Sequence, residues 1–158
     1  MNTAAETRKP DLLLSRVFDA PRELVWKAWT DPKHLVHWFG PHGFTNPVCE
    51  VDLRPGGVWR HVMRGPDGND YPMLTIFREI VVPERLVFLS YVPGRENSLF
   101  EILNIATFTG QGGKTKFTLE AQVLKSTPEA APMLAGMEVG WSQSLERLAA
   151  ILANIQPS

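Results

Sequence analysis

The sequence predicts an α+β fold: a curved antiparallel sheet of about seven strands around a long C-terminal helix, with two short helices after the first strand and an internal cavity. Three observations carry this. Three of the five tryptophans fall between Phe18 and Gly40, on two short apolar-spaced stretches. The middle of the chain is a run of strand-like segments separated by Gly- and Pro-rich turns. After Pro128 an apolar stripe steps three and four residues at a time as far as Ile155.

The 158 residues suit one domain with a single substantial core. Residues 1–10 are polar and end in Lys9-Pro10, so they read as a flexible tail, with 11–158 as one domain. A hydrophobic content of 44% and a charged content of 21% are ordinary for a globular protein. The formal charge of −1, from 16 basic and 17 acidic residues, gives no electrostatic footprint for nucleic acid or an anionic membrane. No apolar run approaches the ~20 residues of a spanning helix, and the start MNTAAETRKPD lacks a signal-peptide core. Cys49 is the single cysteine, which rules out an internal disulfide framework and points to a cytoplasmic location. It reads as a small inert hydrophobe rather than a nucleophile.

Each element has its own signal. Leu12 to Asp19 is a strand ended by Ala20-Pro21. The first short helix has Asp19 as its expected cap, Pro21 in its first turn, and an apolar face of Leu24, Val25, Ala28 and Trp29. Asp31-Pro32 restarts the chain as cap and first helical residue of a second helix bearing Leu35, Trp38 and Phe39, stopped by Gly40-Pro41. Neither helix is long enough to be stable alone, so tertiary contacts must hold both. Strands follow at Val48 to Leu53, Val58 to Arg64, Met73 to Val82, Leu86 to Val92, Leu99 to Thr109 and Lys114 to Leu124. In the last of these, Phe117, Leu119, Ala121 and Val123 alternate with Thr118, Glu120 and Gln122, as one buried and one wetter face require. The final helix is expected to run as one long helix from a Thr127 cap, with Pro128 in its first turn, to about Asn154, with Leu134, Met137, Trp141, Leu145, Leu148, Leu152 and Ile155 in its stripe. It carries Gly136 and Gly140 one turn apart, each costing roughly 1 kcal/mol relative to Ala. That spacing signals close packing or room beside the helix, with a mild local kink as the plainer alternative.

A straight helix cannot fill the hollow of a curved sheet, so a cavity is expected between them. Its candidate lining is Trp38, Phe39, Trp59, His61, Met63, Phe77, Phe117, Met137 and Trp141. Packed core accounts for about half of these, and Trp38 beside Phe39 is the tryptophan expected on the cavity wall, leaving Trp26 and Trp29 as packing or surface. His61 shares a strand face with Trp59 and Met63. It reads first as a hydrogen-bonded core histidine and second as a ligand contact. Glu50, Asp52, Glu79, Glu101 and Glu120 lie in strands; the solvated face is the preferred position for each, and the sequence leaves open which, if any, turns inward. His34, His37 and His42 lack the companions of a metal site, so no metal is expected. Ser142 and Ser144 have no His/Asp partner motif, and Gly56-Gly57 lacks the spacing of a phosphate loop. No cofactor is indicated.

A resemblance adds to this reading. Arg16 to Pro21, Val25-Trp26, Thr30-Asp31-Pro32 and Trp38 to Pro41 resemble the opening of the START-related SRPBCC superfamily. The closer similarity is to its branch named after the activator of the heat-shock-protein ATPase. Pro55 to Arg60, Pro66-Asp67-Gly68, Arg78-Glu79-Ile80, Pro83 to Phe88 and the tail from Gly136 through Gly140-Trp141 to Leu148 extend the similarity over about Leu12 to Leu152. The resemblance implies a helix-grip fold, similar to that of the birch-pollen allergen, with a largely apolar cavity. The superfamily includes lipid and hormone binders, polyketide cyclases and co-chaperone domains, and this branch has no catalytic motif to carry over. The expected role is therefore binding of a small apolar or aromatic molecule. A chaperone-docking module is the alternative, and a cyclase- or hydrolase-like enzyme using His61 or an inward carboxylate is the third reading. The long helix and hairpin edges also offer surfaces for a homodimer.

Overall fold

The computed structural model describes residues 10–92, 100–128 and 131–154. The expected tail, apart from Pro10, and the loop at Pro93 to Asn97 lie outside the described residues, as does Ile155 of the helical stripe.

The described residues form seven strands and four helices: β1 (Leu12–Phe18), α1 (Arg22–Thr30), α2 (Pro32–Trp38), β2 (Thr45–Val51), β3 (Val58–Arg64), β4 (Asp70–Val81), β5 (Arg85–Val92), β6 (Phe100–Gln111), β7 (Lys114–Ser126), α3 (Ala131–Ala135) and α4 (Met137–Leu152). The strands make one antiparallel sheet in the order β1-β7-β6-β5-β4-β3-β2. The chain leaves β1 at one edge, crosses through α1 and α2 to the opposite edge, and returns hairpin by hairpin until β7 pairs with β1. Register shifts at Thr45/Val48, Phe77/Glu79 and Glu101/Ile102 supply bends that curve the sheet. With the terminal helix in its hollow, this is the helix-grip arrangement.

The two short helices are held as their length requires. Asp31 caps α2, its Oδ1 accepting from the Lys33 amide at 2.9 Å, with Pro32 at the first helical position. The expected Asp19 cap of α1 is not made: Pro21 occupies the N-cap with no side-chain bond. Tertiary packing supplies what capping does not. Leu24, Val25, Trp26, Ala28 and Trp29 are all buried. Trp29 lies 5.3 Å from Phe117 and 5.7 Å from Trp141, stacked on both, with Phe108 edge-on at 6.0 Å. Trp26 meets Phe108 edge-on at 5.4 Å.

The expectation of one long final helix is corrected. The chain forms a five-residue helix, α3, then breaks at Gly136 (φ −91°, ψ 1°) before α4 begins. The cause is local. Gly136 is the least helix-favouring residue short of proline, whereas Pro132 falls in the first turn of α3, where its missing amide is not needed. The stripe then divides. Leu145, Leu148 and Leu152 are buried, whereas Leu134, Met137 and Trp141 are only half-buried. One end of the helix grips the core, and the other stands over a hollow.

Candidate functional site

That hollow is a partly open pocket of about 190 Å³ between the sheet and the α3–α4 break. Its floor comes from Met63 of β3, Met73 of β4, Phe88 and Ser90 of β5, and Phe100, Ile102 and Asn104 of β6. Its roof is Leu134, Gly136, Met137, Gly140, Trp141 and Ser144, and one side wall is Phe39-Gly40-Pro41. The lining is mainly apolar, with three methionines whose unbranched side chains adapt to irregular shapes. A cavity of about 150 Å³ can hold a benzene ring. The space here suits a molecule of one or two rings.

Of the nine side chains expected at the cavity, Phe39, Met63, Met137 and Trp141 reach the lining. Trp38, Trp59, His61, Phe77 and Phe117 stand behind it, all buried. Trp38 is displaced from the wall by its neighbour for a geometric reason. It ends α2 facing the core, where its Nε1 donates to the Ala28 carbonyl at 2.9 Å. Phe39 is already extended (φ −67°, ψ 132°) and so turns toward the pocket. Gly136 and Gly140 both line the roof, and Gly136 also marks the helix break. Room beside the helix and a local break in it therefore coincide at that spacing.

The side wall is clasped both to the sheet, where Asn46 Nδ2 of β2 donates to the Phe39 carbonyl at 2.9 Å, and to α4. Arg147 Nη1 donates to the carbonyls of Gly40 at 2.9 Å, Pro41 at 3.0 Å and Phe39 at 3.4 Å, and Nη2 donates to His37 at 3.1 Å. Partial burial lowers the Arg147 pKa from its ordinary value. Ser144 Oγ donates to the Gly140 carbonyl at 2.9 Å and accepts from the Gly40 amide at 3.0 Å. Gln143 accepts from the His42 amide at 3.1 Å, and His42 Nε2 meets Glu146 at 2.9 Å. Gly40 itself sits at φ +103°, a conformation that favours glycine. Ser144 is thus a staple, which the absence of a triad motif did not reveal. Ser144→Ala leaves the buried Gly40 amide unpaired and is expected to cost about 1–2 kcal/mol in urea denaturation. A loss below about 0.3 kcal/mol would remove the staple assignment.

Asn104 was not singled out in the sequence, although its signal was there. In β6 it falls in phase with Phe100, Ile102, Ala106 and Phe108, a polar residue in a period-two apolar row. It lines the pocket floor beside Ser90, whose Oγ lies 3.1 Å from Thr75 Oγ1.

His61 is the core histidine of its first reading, but without the expected hydrogen bond. It is 2% exposed, stacked on Trp59 at 4.5 Å and edge-on to Phe39 at 5.0 Å. Neither ring nitrogen has a hydrogen-bond partner among the described residues. Burial alone drives its pKa down to about 3, so the ring is neutral at physiological pH. Shut away from the pocket, it is poorly placed for proton transfer. Glu50, Asp52 and Glu79 are exposed, Glu101 and Glu120 are half-buried, and among the described residues no carboxylate lines the pocket. Burial also pushes the Cys49 thiol up. Among the described residues no three His, Cys, Asp or Glu side chains converge as a metal site, and no helix is long and apolar enough to cross a membrane.

Comparison with known proteins gives a consistent picture. A family model described as Activator of Hsp90 ATPase homolog 1-like protein matches residues 19–153. A crystal structure of a protein from Nitrosomonas europaea is similar over 92% of this chain and 95% of that one, at 29% identity and a TM-score of 0.79. One from Chromobacterium violaceum is similar over 89% and 95%, at 26% identity and a TM-score of 0.77. One from Mycobacterium smegmatis is similar over 92% and 91%, at 27% identity and a TM-score of 0.76. No curated protein sequence matches.

Proposed function

The chain belongs to the family of Activator of Hsp90 ATPase homolog 1-like proteins, and we propose that within it this member binds a small aromatic or apolar molecule between sheet and helix. The observation that carries this reading is the apolar pocket of about 190 Å³, lined by Phe39, Met63, Met73, Met137 and Trp141. Burial of such a molecule releases water from both surfaces, worth roughly 25 cal/mol per Å² of apolar area. The walls are already held by Ser144 and Arg147, so little ordering opposes binding.

Gly140→Leu tests the reading without endangering the fold. A Cβ at Gly140 meets only Pro41 Cγ, at 3.7 Å. Leucine is the better helix former by about 1 kcal/mol, and its side chain would project into the pocket. The variant is expected to keep or raise Tm and to lose binding of naphthalene-sized probes in calorimetric titration. Undiminished binding by Gly140→Leu would place the ligand elsewhere.

The family description favours a second reading, a module that docks on Hsp90 and stimulates its ATPase. Stimulation of a cognate Hsp90 ATPase by the purified protein, retained in Gly140→Leu, would support that role over the first.

A further inference from the structure

We propose that the occupant carries one uncharged hydrogen-bond donor, a hydroxyl on an aromatic ring, and that Asn104 is the residue that selects it. This rests on the pocket being a binding site. Asn104 is 2% exposed and lies on the pocket floor. Its Nδ2 stands 3.2 Å from Ser90 Oγ, 3.2 Å from the Ile102 carbonyl and 3.4 Å from the Phe88 carbonyl. An amide nitrogen only donates, so three acceptors around it fix which way the group is turned. Its Oδ1 is left on the opposite side of the amide, with no hydrogen bond to it among the described residues and outside the set of fully buried unpaired atoms, as an atom open to the pocket would be. Ser90, which helps to hold the amide, is itself tied to Thr75. The floor therefore presents a locked, unpaired acceptor to an apolar chamber.

The chemistry of that acceptor narrows the ligand. A hydrocarbon or an ether would leave Oδ1 buried and unpaired. A carboxylate or phosphate would lose its water in a lining that, among the described residues, contains no Lys, Arg or His. A neutral hydroxyl satisfies Oδ1 and carries no charge, and the faces of Phe39, Phe88 and Trp141 favour an aromatic ring to bear it.

The test is calorimetric titration of the full chain with 2-naphthol, 2-methoxynaphthalene and 2-naphthoate. The naphthol is expected to bind about tenfold or more tightly than either analogue, because only it satisfies the acceptor. Asn104→Leu is expected to reduce that preference to about twofold or less. If Asn104→Leu does not fold, the wild-type series decides alone, since the ether masks only the donor. Equal binding of all three overturns the inference and leaves the pocket reading standing. Binding of none overturns both. Tighter binding of the naphthoate, or a naphthol preference that survives Asn104→Leu, overturns the role of Asn104.

Discussion

Acidification from neutrality to about pH 4.5 is expected to remove roughly 3 kcal/mol of stability through one side chain, and His61→Leu is expected to abolish that loss. His61 titrates at 6.5 in an unperturbed chain but at about 3 in the fold, where burial opposes its charge. As pH falls, the unfolded chain therefore takes up the proton first. Its contribution is fully present above about pH 6.5 and is lost through the window down to about pH 3, at about 1.4 kcal/mol per pH unit. Among the described residues no charged partner offsets the cost. The strand neighbours of His61 across the ladder are Cys49 and Met73, and its ring contacts are Trp59 and Phe39. At neutral pH His61→Leu exchanges ring stacking for relief of two unpaired nitrogens, so its effect there is expected to stay within about 1 kcal/mol. Urea denaturation of both proteins across pH provides the measurement. Parallel curves for wild type and variant would show that His61 does not carry the acid sensitivity.

Arg147→Met is the second large effect, expected to cost about 2–3 kcal/mol at neutral pH and to weaken ligand binding as well. The guanidinium meets four carbonyls, at His37, Phe39, Gly40 and Pro41, with its donors spread across one plane. Three of those residues form the pocket's side wall. Removing the fork takes the guanidinium from the part-buried Gly40 carbonyl and from that of His37, while the Phe39 and Pro41 carbonyls keep the Asn46 side chain and the Phe44 amide as donors. Lysine has a point charge and cannot span the same set, so Arg147→Lys should restore less than half of the loss. Wild-type stability in Arg147→Lys would mean that charge at the end of α2, rather than the fork, is what matters.

The strands and their faces were legible in the sequence because alternation and turn residues act locally. Phe117, Leu119 and Ala121 are all buried, and Trp59 and His61 share the inner face of β3 as their spacing required. The α2 cap at Asp31 was equally readable, since cap and proline lie side by side. What escaped depends on arrangement. Trp38 and Phe39 are equivalent as letters, but the helix ends between them, and the residue beyond the end faces the pocket. Arg147 and Ser144 resemble ordinary helix polar residues until the 37–41 segment is brought against them, over a hundred residues away in sequence. The break at Gly136 escaped because the apolar stripe keeps its step across it, and the glycine alone marks the place where α3 ends and α4 begins.

The pairing of β1 with β7 has a kinetic consequence. Ser15 and Thr118 face one another across that ladder although 103 residues separate them in the chain. Of the described strands β1 is made before the others, yet its strand partner among them is β7, the last of them to be made. Closing so long a loop is entropically costly, and contacts of this range slow folding. The native sheet edge therefore cannot form cotranslationally until β7 has left the ribosome. Until then β1 presents Leu12, Leu14 and Phe18, destined for the core, together with Leu13 and Val17, which stay exposed even afterwards. The earliest-made strand is thus the one that waits longest unpaired, and it is where a nascent chain of this protein is most open to chaperone capture or misassembly.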